Sequence, residues 1–113
     1  MRHTGVMTLP AAVIDQAGFD AAVRRTEEHL RSQQSIVQVR YTLDHDRDGD
    51  PVVWFRVVLP DKFVSGLDLM VITDLVSFTI EREVDPLGLW GVYPHYRFRS
   101  KTEHDAIHEP AWA

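Results

Sequence analysis

Hydrophobic and polar residues recur with two different periods along this chain. Over 15–33, Phe19, Val23, Thr26 and Leu30 fall at helical spacing and predict a helix with a narrow apolar stripe. Glu27 and Arg31 make a favourable i,i+4 pair, whereas Gly18 weakens the first turn and points to a start near Phe19. Over 36–43 the period drops to two. Val37, Val39, Tyr41 and Leu43 point one way, and Gln38, Arg40 and Thr42 the other, as in a half-buried strand. The Asp-rich stretch 44–51 reads as a polar connection to a second strand over 52–59, giving an antiparallel hairpin closed by Pro60.

A second helix follows, capped by Ser65 with Asp68 as its partner. Its inner face is Leu69, Ile72, Leu75, Val76, Thr79 and Ile80. Met70, Val71 and Phe78 widen that face, so the helix is either well buried or carries an interface. It should end near Val84, before Pro86 and Gly88. The stretch 85–94 reads as an unusually apolar loop containing Leu87, Leu89, Trp90 and Tyr93, clamped on the core or buried in a partner. A last strand over 95–100 turns Tyr96 and Phe98 inward. In the N-terminal arm, Met7 and Leu9 are placed to add a short edge strand.

The order helix, strand, strand, helix, strand predicts an α+β fold, a two-layer αββαβ sandwich with two helices on one face of a small mixed sheet. At 113 residues the chain fits a single domain, with 1–14 as an arm and 101–113 as a tail. Its 44% hydrophobic and 26% charged content is that of a globular protein.

Composition removes several functions. Without cysteine there is no disulfide framework, thiolate zinc site or cysteine nucleophile, which suits a cytoplasmic protein. No run approaches the ~20 apolar residues of a membrane span, and Pro10 interrupts the only signal-like stretch. A net charge of −5 makes duplex DNA an unlikely partner.

The αββαβ order resembles, in topology, the ferredoxin-like cytoplasmic domain of cation diffusion facilitators and the type II KH fold. The KH signature Gly-x-x-Gly between helices and the histidines of the efflux domain are not placed here. Gly49-Asp50-Pro51-Val52-Val53-Trp54-Phe55-Arg56 and Tyr96-Arg97-Phe98-Arg99-Ser100 resemble small uncharacterised bacterial proteins found beside toxin–antitoxin or defence genes. That resemblance implies a protein partner more than an activity and carries over no functional residue.

Strand alternation singles out one surface. If Tyr41, Phe55 and Tyr96 face the helices, the opposite face carries Gln38, Arg40, Thr42, Trp54, Arg56, His95, Arg97 and Arg99. Four arginines, a histidine and a tryptophan on one face of an acidic protein ask for a partner. An acidic protein surface is one, because Arg and Trp are preferred interface anchors. Single-stranded RNA is another. The plain alternative is a solvated face whose arginines pair with local carboxylates. The assignment depends on register, since a one-residue slip reverses the faces.

Two motifs hint at metal. Asp44-x-Asp46-x-Asp48-Gly49 matches the opening of a calcium loop, but its twelfth position is Phe55, and hairpin turns are rich in Asp and Gly anyway. His104 and His108 would share one face of a helix beside Glu103, Asp105 and Glu109, although a solvated tail explains them too. No nucleophile elbow or phosphate loop occurs, and no catalytic residue or cofactor is assigned. Acid–base work by His95 with Tyr93 or Tyr96 would need assembly in space. The expected function is a non-enzymatic interaction module, a homodimer or a small subunit of a bacterial complex. Its contacts would be Arg40, Trp54, Arg56, His95, Arg97 and Arg99, or the Trp90 loop. RNA binding and a metal-dependent role are the alternatives.

Overall fold

The computed structural model describes residues 9–63 and 66–113. The elements are α1 (Ala11–Ile14), α2 (Gln16–Gln34), β1 (Gln38–His45), β2 (Pro51–Leu59), α3 (Gly66–Glu83), α4 (Pro86–Trp90), β3 (Tyr93–Ser100) and α5 (Lys101–Ala106), followed by a short 3₁₀ turn at Pro110–Trp112. The sheet is mixed, in the order β1-β2-β3, with β1 antiparallel and β3 parallel to β2. The α+β sandwich is the one the periodicity predicts. Phe19, Val23 and Leu30 of α2 and Ile72, Val76 and Ile80 of α3 pack with Val39, Val53, Phe55 and Val57 of the sheet in one buried cluster. Phe19 is its hub, meeting Tyr41 edge-on at 5.0 Å and Trp90 at 5.4 Å.

Local chemistry sets the element ends. Asp15 caps α2 by accepting the Gly18 N–H at 3.0 Å. The helix therefore begins at Gln16, and Gly18 belongs to the cap instead of weakening it. Ser35, left-handed at φ 58°, ends α2 with N–H bonds back to Arg31 and Leu30. The same Asp-x-x-Gly device recurs where Asp85 accepts the Gly88 N–H at 3.2 Å.

That second cap corrects the apolar loop expected over 85–94. The segment is the short helix α4, with Pro86 inside its start and Gly91 (φ 70°) at its end. Its Trp90 lies against Phe19 as part of the core. The arm also differs from expectation: Leu9 lies outside any strand, and α1 packs on α2 and α4 instead. Met7 and Ser65 fall outside the described residues.

The tail is structured. Ser100 and Glu103 form a reciprocal capping box at the start of α5. Asp61 accepts both the Thr102 N–H at 3.0 Å and its hydroxyl at 2.7 Å. These bonds hold the Asp61 carboxyl below its ordinary pKa, the backbone N–H being the larger cause. The chain then folds back so that Trp112 is buried.

Candidate functional site

Strand register decides what the sheet displays away from the helices. Arg40, Arg56 and Arg97 are successive partners across the three strands, as are Thr42, Trp54 and His95. Gln38, Val58 and Arg99 form the next row. All eight residues expected on this face therefore share it.

The face is not uniformly open. The Gln38 amide donates to the Trp112 carbonyl at 2.6 Å, and Arg40 Nε donates to the Ala113 oxygen at 2.8 Å. The Arg99 guanidinium stacks over the Trp112 ring at 4.2 Å and pairs with Glu109. Val58 is fully buried at this end of the sheet. Arg40 is also neutralised from the helix layer: its Nη1 donates to Glu27 at 2.8 Å. Two of the four arginines are thus used within the molecule.

The remaining positions behave differently. Arg56 donates to the Thr42 hydroxyl at 2.7 Å, and Arg97 lies 5.0 Å from the Trp54 ring centroid. Trp54 also stacks on His95 at 4.8 Å. Neither Arg56 nor Arg97 forms an ion pair among the described residues. Between this ladder and residues 109–112 lies a cleft of about 290 Å³, walled by Trp54, Arg56, Arg97, Arg99, Glu109 and Trp112, with Asp44 at its side.

His95 and Tyr96 point to opposite faces, so they cannot act on one substrate. The Tyr96 hydroxyl donates to Glu81 at 3.0 Å on the helix side. Burial first, and that acceptor second, push its pKa upward, away from any role in proton exchange near neutrality.

The metal motifs fare less well. Asp44 belongs to β1, and the carboxylates that converge are Asp46, Asp48 and Asp50. Asp46 Oδ1 already accepts the N–H groups of Asp48 and Asp50, each at 2.9 Å, which is the work of a hairpin turn. The helical face expected for His104 and His108 is absent, because α5 ends at Ala106.

The outward side of α3 corrects the expectation that Met70, Val71 and Phe78 widen the inner face of that helix. Leu67, Met70, Val71 and Phe78 are 75%, 62%, 61% and 70% exposed. They sit on the side opposite Ile72, Val76 and Ile80, so α3 is apolar on two faces. A groove of about 530 Å³ lined by Leu59, Phe63, Leu69, Met70 and Phe98 continues this surface. The signal was present in the sequence as a second apolar set at i, i+3, i+4 and i+11. No described helix is long and apolar enough to cross a membrane. Searches of protein-family models and of curated proteins return no match for this chain.

Proposed function

We propose that this protein is a non-enzymatic interaction module that works as a homodimer through the outward face of α3. The observation that carries this reading is the row of four large apolar side chains, each more than 60% exposed, on one helix. Contiguous apolar patches of this kind mark contact sites on otherwise ordinary surfaces.

A second copy is the occupant the sequence of α3 favours. Asp68 and Arg82 flank the stripe at its two ends and carry opposite charge. In an antiparallel, two-fold pair, Asp68 of each copy meets Arg82 of the other, and Val71 meets Phe78. Asp74 lies within the stripe and would approach its own copy near the axis, at a cost. The lack of cysteine is compatible with the cytoplasm. Asp46, Asp48 and Asp50 keep the metal alternative in view, and stacking of Trp54 on His95 leaves less ring for an RNA base.

Sedimentation velocity across a concentration series tests the pairing. The wild-type chain should dimerise, and Phe78→Glu should be monomeric with an unchanged circular dichroism spectrum. Removing the like charge with Asp74→Asn should tighten the dimer about twofold. A wild-type chain that stays monomeric at the highest concentrations sinks the proposal, as does a Phe78→Glu dimer of parental affinity.

A further inference from the structure

The row Arg40–Arg56–Arg97 sets three like charges side by side on adjacent strands, an arrangement that destabilises a sheet unless something compensates it. Glu27 compensates Arg40. Nothing among the described residues does so for Arg56 or Arg97. Both line the cleft under residues 109–112, in a chain whose net charge is −5. A third guanidinium, that of Arg99, borders the same cleft, and its buried Nη1 has no hydrogen-bond partner among the described residues.

We propose that this cleft binds a small phosphate monoester through Arg56 and Arg97. This site does not depend on pairing through α3, which lies on the other side of the sheet. Each guanidinium offers a planar fork of donors, and that of Arg97 lies over the Trp54 ring at 5.0 Å with no ion pair among the described residues. Arg56 has one nitrogen on Thr42 and keeps the others for a ligand. Two adjacent forks present more donors than one carboxylate can accept, whereas a phosphate supplies three oxygens and about two charges. The walls include two carboxylates. Against these two, Glu109 and Asp44, stand the three guanidiniums of Arg56, Arg97 and Arg99, so the cleft lining keeps a net positive charge. At about 290 Å³ the cleft is just below the ~300–1,000 Å³ typical of ligand pockets, which suits a phosphate bearing a small group.

The test is a titration with inorganic phosphate and with ribose 5-phosphate, against sodium chloride at matched ionic strength. The readout is the indole NMR resonance of Trp54. Both phosphates should shift it saturably, ribose 5-phosphate binding more tightly. Arg56→Gln and Arg97→Gln should each weaken binding about tenfold or more. Arg97→Lys, which keeps the charge and loses the fork, should fall between them and the parent. Arg31→Gln, on the exposed end of α2, should change nothing. Equal shifts from chloride overturn the proposal, and so does parental affinity in both glutamine variants. It also fails if a short oligouridylate binds the face and phosphate neither binds nor displaces it.

Discussion

Glu27 and Arg40 form an ion pair that also closes the edge of the sheet. Nη1 of Arg40 donates to Glu27 Oε2 at 2.8 Å, and the same oxygen accepts the Val39 N–H at 2.7 Å. Among the described residues β1 is an edge strand, and an unpaired edge N–H invites pairing with another chain. The Glu27 side chain is mostly buried, so its removal leaves a partly buried guanidinium and an N–H without acceptor. Glu27→Ala should cost about 3 kcal/mol in urea unfolding, with Glu27→Gln costing less. An unchanged midpoint in Glu27→Ala would show that the pair contributes nothing net.

Trp112 anchors the C-terminal segment on the sheet. Its replacement by alanine should cost roughly 3 kcal/mol, as for a large core aromatic, and should speed amide exchange at Gln38. If unfolding and exchange both match the parent, the segment does not hold the sheet in solution.

The Asp15 cap and Gly18 should be coupled. A Cβ on Gly18 would lie 2.3 Å from Asp15 Oδ2, so alanine there displaces the capping carboxylate. The lost cap, about 1 kcal/mol, then offsets the gain of about 1 kcal/mol from replacing a helical glycine. Gly18→Ala should be nearly neutral in the parent and stabilising by about 1 kcal/mol in an Asp15→Ala background. A double-mutant cycle with no coupling would contradict the cap.

Acid should loosen α5 through Asp61. Its folded carboxyl titrates below its ordinary pKa, so the folded state binds this proton less readily than the unfolded one. The contribution is complete above the ordinary value and is lost as pH falls through the lowered folded value. Asp61→Asn should flatten this acid dependence at Thr102, followed by hydrogen exchange. The same steep acid limb in the variant would assign the effect to another group.

Alternation with period two was enough to place β1 and β3, and a run of β-formers placed β2; parity then sorts Tyr41, Phe55 and Tyr96 from Trp54, Arg56 and Arg97, because a strand's faces are fixed by parity alone. The long helices were legible for a similar reason. α4 was not, since five residues hold barely more than one turn and show no period. Its marks were terminal ones, Pro86 and Gly91. The cover on the sheet was illegible for a different reason: Gln38 and Trp112 meet across 74 positions, and no local pattern reports so distant a contact. Trp90 and Leu89 looked alike in sequence, yet only Trp90 reaches Phe19, while Leu89 is exposed.

The outward face of α3 and the arginine cleft lie on opposite sides of a single sheet. Pairing through α3 would therefore stack the assembly as sheet, helix, helix, sheet, with one cleft on each outer surface. Such a particle is bivalent. A monophosphate loads its two sites independently, whereas a tethered bisphosphate gains avidity only when its linker can reach around two helical layers. Pairing in this geometry sets the valence of the particle without altering the chemistry of either site.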